Sequence, residues 1–472
     1  MREVVSCLLC GETQFEPLLA LRGPVSGGDG PRVTTTFVSC RACGFVFQTP
    51  TLDEEELHEL YGKNYRALDP PIQYQKDQLF YARLLCDWIE SRIGPPQGRR
   101  VLDVGCAAGF FLSAFRERGW QTVGIDANPR WTEWGRQHQR LDLRDGFFDA
   151  QAFPGEQFDL ILFSHIVEHL PDPVPTLRAI RAKLKPDGHL FLGAPNILLP
   201  PRDNLLKNFM ARPHVCLYSP QTVRRLLAKA NFAVTSSDNW YPRGMRVLAQ
   251  PADASMSFAD ERSDDWKTLR HLYTALTRPA RATTFGRNLA ALVPSHYDVL
   301  EAVAAKTPAG TRPWNGANPG ELVRTIESGQ PARLGDSPTE TPGDPGEWPE
   351  SPVPGMTLIM IGLGAGWAVQ AMVRQLEKSD ARLVVCEPDS ALVRAVLTIR
   401  DLTDTLGSAR MRMVVGPHLV FRKTVREWLG RATEVRVVVN PWLNDEWRRR
   451  YQPIAAMLDQ RRRAVEPAEC VA

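Results

Sequence analysis

The chain has 472 residues, 43% of them hydrophobic and 24% charged, a globular composition long enough for two or three domains that excludes disorder over its whole length. Its 57 basic and 54 acidic side chains leave a formal charge of +3, so no global field steers it onto nucleic acid or an acidic membrane. Nine cysteines in a chain of this size do not imply a disulfide framework, because a core this large needs no covalent staples.

The opening MREVVSCLLCGE lacks the basic leader and sustained apolar run of a signal peptide, and a reduced cytoplasm is the expected compartment. Residues 1–50 carry two C-x-x-C-G knuckles, Cys7 and Cys10 in CLLCG and Cys40 and Cys43 in CRACG. Each spacing lets two thiolates face one ion, the glycine permits the tight bend, and four thiolates complete a closed tetrahedral Zn²⁺ site that supports folding and not hydrolysis. A redox C-x-x-C would sit inside a βαβ pattern, and none surrounds Cys7. The loop between the knuckles has few basic residues and no interleaved aromatics, which argues against a nucleic-acid-binding ribbon.

An acidic, helix-like run, LDEEELHELYGKNYR, follows as a docking helix. Over residues 51–250 the runs VLDVG, TVGIDA, FDLILFS and HLFLGAPN read as strands alternating with amphipathic helices. That alternation predicts an α/β fold with a largely parallel sheet covered on both faces.

The sharpest functional signal is VLDVGCAAGFFLSAFRERGWQTVGIDANP, residues 101 to 129. A strand carries Asp103, Gly105 and Gly109 let the backbone turn close to a ligand, and a second strand ends on Asp126, placed to accept hydrogen bonds from both ribose hydroxyls. A dinucleotide site seats pyrophosphate at this turn. Asp103 stands two residues before the first glycine, where a carboxylate repels phosphate and suits an ammonium or sulfonium, which favours S-adenosylmethionine (SAM).

This segment resembles the class I SAM-dependent methyltransferases, whose first motif is D/E-x-G-x-G-x-G; Ala107 replaces the middle glycine. FDLILFSHIVEHLPDP and LRAIRAKLKPDGHLFLGAPN are similar to that family's fourth and fifth strand motifs, in the expected order. The resemblance implies a Rossmann-like seven-stranded sheet with a reversed last strand. It also implies cofactor contacts from Asp103, Gly105, Cys106, Ala107, Gly109, Asp126 and Ser164, with Asp149 offered to the adenine amino group. The double knuckle leading into such a domain resembles a subgroup of sugar and natural-product methyltransferases with a zinc-binding leader.

For the chemistry, His165 follows the FDLILFS strand at the carboxyl edge of the sheet and is a candidate base or substrate contact, or else a histidine that orders its loop. Glu168 and His169 read best as a structural network. His214 and Tyr218 precede a helix capped by Ser219 with Pro220 in its first turn, and are candidates for facing the substrate, against ordinary packing. Cys106 has no activating cation beside it and reads as a small residue against the cofactor. Trp131 and Trp134 either flank the adenine or, as the preferred reading, anchor a helix.

Residues 251–306 have helical periodicity and form an expected helical extension, and 307–352 are crowded with Pro, Gly, Ser, Thr and acids, a linker composition. Residues 353–472 repeat the strand and glycine-turn pattern in IMIGLGAGWAVQ, with Glu387 ending the next strand and Met360 in the place of Asp103. A second, smaller Rossmann-like unit of about four strands is expected, in which SAM binding is disfavoured. Its GLGAGWAV and CEPDSALVRAVL segments resemble the N-terminal Rossmann-like portion of the motility accessory factor family, associated with flagellin glycosylation. That resemblance implies either a docking or sugar-nucleotide-sensing module or an enzyme, and the arginines of DEWRRRYQ and LDQRRRAV form either a partner contact or a solvated helix face. The uncharged stretch 351 to 373 is broken by prolines and glycines and reads as strand, turn and helix, not as a membrane span.

The expected function is SAM-dependent methyl transfer to a sugar, sugar nucleotide or surface glycan. The alternatives are a SAM-binding scaffold in a glycan-modifying assembly and an RNA methyltransferase.

Overall fold

Strand β1 (Phe15–Pro24) pairs antiparallel with β2 (Arg32–Cys40), and β2 with β3 (Val46–Thr49), in the computed structural model of the chain. The structure describes residues 1–24, 32–53, 55–56, 72–200, 205, 209–211, 213–240, 244–253, 265–292, 299, 303, 323–325, 331–333, 353–364, 366–376, 379–415, 432–440, 443 and 445–465. Apart from residues 55–56, which are helical, the expected docking helix that opens at Leu52 has its body outside them.

By internal packing the chain divides into Met1–Trp266 and Lys267–Ala472. In the first unit, helix α1 (Ile72–Ile93) precedes β4 (Arg100–Val104), α2 (Phe110–Glu117), β5 (Gln121–Asp126), α3 (Pro129–Gln139) and β6 (Asp142–Asp145). Then come β7 (Phe158–Ser164), α4 (Val174–Lys183), β8 (Leu184–Ala194), β9 (Cys216–Leu217), α5 (Pro220–Lys229), β10 (Phe232–Trp240) and β11 (Gly244–Pro251). The order β10-β11-β8-β7-β4-β5-β6 gives seven strands, of which β8, β7, β4, β5 and β6 run parallel and β11 runs antiparallel to both its neighbours. This is the Rossmann-like sheet with a reversed last strand that the motifs implied.

Strand β4 is central because its run RVLDV is apolar on both faces. Leu102 and Val104 enter one core with Ile161, Phe163 and Leu192, and Val101 enters the other with Leu112, Phe115 and Leu160. Each such side chain, fully withdrawn from water, contributes about 1.5–3 kcal/mol. Helix α3 starts where Asn128 Oδ1 accepts from the Arg130 amide, with Pro129 in its first turn. Helix α5 starts on a reciprocal capping box, Ser219 with Thr222, behind Pro220. Trp131 is buried against Ala108 and Phe110, as a helix anchor would be.

The cysteine-bearing segment is not a free-standing module. Strand β9 joins its sheet as a fourth strand beside β3, and Cys7, Cys40, Cys43, Phe45 and Phe47 share one core with β4 and β7.

Among the described residues of the second unit, helix α6 (Asp265–Thr277) opens at the boundary and α7 (Thr284–Leu292) follows, within the expected helical extension. In the expected linker, β12 (Val323–Thr325) pairs with β13 (Pro331–Arg333), and most other linker residues lie outside the described ones. Then β14 (Thr357–Ile361), α8 (Trp367–Leu376), β15 (Arg382–Glu387), α9 (Ser390–Ile399), α10 (Thr403–Gly407), β16 (Met411–Val415), β17 (Val435–Val439) and α11 (Asp445–Val465) build a parallel sheet in the order β16-β15-β14-β17. The uncharged stretch is thus β14, a glycine turn and α8, and no helix among the described residues is long and apolar enough to cross a membrane. Asn288 on α7 ties that helix to the unit: its amide donates to the Leu397 and Arg400 carbonyls and its oxygen accepts from the Leu402 amide.

Candidate functional site

The chain order steps outward from β4 to β5 and β6, then returns to β7 and β8 on the other side, so a crevice opens above the carboxyl ends of β4 and β7. At its floor Asp103 is 2% exposed. Burial, and then the neighbouring Asp126 carboxylate, push its carboxyl up to about 8, so near neutral pH it takes a full charge only beside a compensating cation.

The turn that follows is built on left-handed backbone. Gly105 (φ 77°), Ala107 (φ 48°) and Gly109 (φ 76°) all lie there, and a Cβ on Gly109 would stand 2.5 Å from a Leu141 methyl. The turn is pinned by the Gly105 and Cys106 amides, which donate to the Ile125 carbonyl at 2.8 and 3.1 Å. Asp126 then accepts from the Ala107 amide on one oxygen and from the Asn128 amide on the other, each at 2.8 Å, which fixes its plane. Asp103, the turn and Asp126 are brought together as the sequence predicts. Burial raises the Cys106 thiol well above its ordinary range, in keeping with an inert small residue. Ser164 ends β7 opposite Gly193. Asp149 is exposed, and its Oδ1 accepts from the Gln151 and Ala152 amides, so its described contacts close a turn and do not reach the glycine loop.

His165 also has left-handed backbone (φ 57°), fixed by its amide donating to the Gly193 carbonyl at 2.8 Å. Its Nδ1 lies 3.1 Å from Glu168 Oε1, and its side chain is 39% exposed while Glu168 is buried. Burial works to raise the Glu168 carboxyl, but the His165 hydrogen bond and the imidazoles of His165, His169 and His214 outweigh it and hold it down at about 2. Burial lowers His169 to about 4, and its ring meets that of His214 edge to face at 4.8 Å. The expected Glu168 and His169 network therefore exists and takes in His214. That link spans a stretch of sequence across which no local spacing signal connects the residues. Tyr218 is fully buried beside Phe45, and burial drives its hydroxyl well above the ordinary range.

The segment around this crevice has known relatives. Residues 76–237 match the family model for a methyltransferase domain. The ubiquinone biosynthesis O-methyltransferase of Leptothrix cholodnii is 32% identical over 154 residues, covering 30% of this chain and 64% of that protein. The protein of the same name from Actinobacillus pleuropneumoniae is 32% identical over 155 residues, covering 31% and 66%. The chain thus spans just under two thirds of the length of these relatives. Among solved structures, Burkholderia thailandensis 1,6-didemethyltoxoflavin-N1-methyltransferase with bound S-adenosylhomocysteine is 20% identical, covering 37% of this chain and 79% of that one, at a TM-score of 0.29. The glycopeptide N-methyltransferase MtfA in complex with SAM is 17% identical, covering 37% and 94%, at a TM-score of 0.30.

In the same unit, the four knuckle sulfurs converge. Cys7 and Cys43 stand 3.6 Å apart, Cys10 and Cys40 3.5 Å, and one ligand atom from each lies within 4.8 Å of the rest. Tetrahedral zinc with sulfurs at about 2.3 Å sets them about 3.8 Å apart, so the donor set and spacing fit. Each glycine after a knuckle is left-handed and returns its amide to the first cysteine's carbonyl, Gly11 to Cys7 and Gly44 to Cys40.

The second glycine turn is different. Glu387 is fully buried, and its oxygens accept from the Leu363 amide, the Asp389 amide and the Tyr451 hydroxyl on α11. A Cβ on Gly362 would meet Leu443 and Tyr451. Tyr451 thus closes over Glu387, the acid that ends the second strand of this unit as Asp126 does in the first.

Proposed function

We propose that the chain is a SAM-dependent methyltransferase acting from its first unit on an oxygen of a sugar, sugar nucleotide or surface glycan in the reduced cytoplasm. The observation that carries the reaction class is the buried Asp103 and the pinned Asp126 flanking one glycine turn inside the segment that matches a methyltransferase domain. The sugar acceptor is supported by the resemblance of the cysteine-bearing leader to sugar methyltransferases; the oxygen acceptor is supported by the relatives named O-methyltransferases.

When bound, SAM supplies a methyl group on an electrophilic sulfonium. Asp103 offers a carboxylate to the positive methionyl portion, Gly105 to Gly109 bring backbone against it, Asp126 accepts the ribose hydroxyls and Asp149 is assigned the adenine amino group. His165 takes the acceptor proton on Nε2, since its Nδ1 is engaged by Glu168, whose buried negative charge stabilises the imidazolium that results. His214 flanks the acceptor side, while Tyr218, fully buried against Phe45, packs beneath it and does not face the acceptor. Cys7, Cys10, Cys40 and Cys43 hold a closed Zn²⁺ site that stabilises the fold and takes no part in transfer. The C-terminal unit, its crevice filled by Tyr451, serves as a docking module for a protein partner.

The test is turnover: the full chain with SAM and a pool of sugar nucleotides and glycans, read by S-adenosylhomocysteine release and mass spectrometry. A sugar product heavier by one methylene is expected, and His165→Ala should lower kcat by about 10²–10⁴ with SAM affinity unchanged. SAM binding without turnover on any such pool would instead support the scaffold reading.

A further inference from the structure

Three acceptor groups converge beyond the glycine turn, at the carboxyl end of β7. Glu168 lies in the single 3-10 turn Val167–His169, and its Oε2, shielded from solvent, has no hydrogen-bond partner among the described residues. His169 Nδ1 donates to the Pro213 carbonyl at 2.8 Å, and His214 Nδ1 donates to the Phe209 carbonyl at 2.9 Å. A carbonyl only accepts, so both hydrogens sit on Nδ1 and both lone pairs on Nε2, the tautomer in which metal-ligating histidines are held. One ligand atom from each of Glu168, His169 and His214 lies within 4.8 Å of the other two.

We infer that Glu168, His169 and His214 form a second metal site, which takes a divalent first-row transition cation such as Zn²⁺. Two imidazoles and a carboxylate match such an ion better than Mg²⁺ or Ca²⁺, which take oxygen sets. Zinc with ligands at about 2.0–2.2 Å holds them about 3.4 Å apart, within reach of small side-chain rotations. Unlike the closed thiolate site, three protein ligands leave a coordination position open. His165 neighbours the cluster, its Nδ1 lying 3.1 Å from Glu168 Oε1. On the function proposed above, and resting on it, the open position receives the acceptor oxygen. Metal binding itself does not depend on that function.

The test uses the full chain without SAM: stripping with chelator, reloading with Zn²⁺, desalting and metal analysis, with Co²⁺ spectra to separate thiolate from nitrogen and oxygen ligation. About two equivalents per chain are expected. Glu168→Gln and His214→Ala should each lose about one, keeping the thiolate-to-cobalt charge-transfer band, while Cys40→Ser loses that band and keeps the other equivalent. Far-UV circular dichroism confirms that the variants fold, and two variants guard against either failing alone. A wild-type chain that binds only the thiolate-held ion, or variants that keep both, would overturn the site while leaving SAM binding untouched.

Discussion

The Ala107 amide donates to Asp126 Oδ2 at 2.8 Å, so the turn after β4 is tied to the acid that ends β5. A helix and a strand separate these residues in the sequence, yet one hydrogen bond ties the shape of the loop to the direction of the carboxylate.

Asp126→Ala removes the acceptor for the Ala107 and Asn128 amides together with the proposed ribose contacts. SAM affinity measured by calorimetry should fall by about 10–100-fold, each hydrogen bond to a charged acceptor contributing about 1.5–3 kcal/mol. Unchanged affinity would remove the ribose from this acid.

With Asp103 facing the cofactor as proposed, SAM binding should depend on pH. Its carboxyl is raised by burial to about 8 from the ordinary 3.8, so between those values the native state holds a proton the unfolded chain has lost. Its contribution to the stability of the ligand-free protein is therefore fully present below about 4 and declines as pH rises toward about 8. A cationic ligand favours the ionised form and reverses the trend: SAM affinity should rise between about pH 6 and 8, by at most about tenfold per unit, with proton release. Asp103→Asn should flatten that dependence, which calorimetry in buffers of different ionisation enthalpy reads directly.

Loss of the thiolate site should reach beyond the leader. Its cysteines share a core with β4 and β7, and β9 is paired to β3, so Cys40→Ser or chelation should lower the melting temperature of the whole first unit. A leader that melts alone, with the seven-stranded sheet unaffected, would contradict the shared core.

Tyr451→Phe should cost the second unit about 1 kcal/mol in denaturant unfolding. Burial raises Glu387 to about 7, and the Tyr451 hydroxyl is among the donors that favour its charged form. The raised carboxyl is most stabilising below about 4.5 and loses that contribution as pH passes about 7, so removing the donor should cost more at pH 8 than at pH 6.

The sequence showed those parts of the site that are local. Gly105, Gly109 and Asp126 lie on adjacent elements, and left-handed backbone and a strand-ending acid leave clear residue signatures. The cysteine knuckles were legible for the same reason, as was the four-stranded second sheet. The pairing of β9 with β3 left no signal, since a two-residue strand has no periodicity. The meeting of Glu168 and His169 with His214 joins residues far apart in the sequence, as does the closing of Tyr451, on a distant helix, over Glu387. The charge state of Asp103 was equally hidden, because its depth is set by neighbours on both sides of β4.

The most direct measurement is a calorimetric comparison of SAM, S-adenosylhomocysteine and NAD with the purified full chain, followed by a crystal of the tightest complex. The account predicts that SAM and S-adenosylhomocysteine bind at one site per chain between Asp103 and Asp126, and that NAD does not. A dinucleotide seated in that crevice, with no binding of SAM, would contradict it.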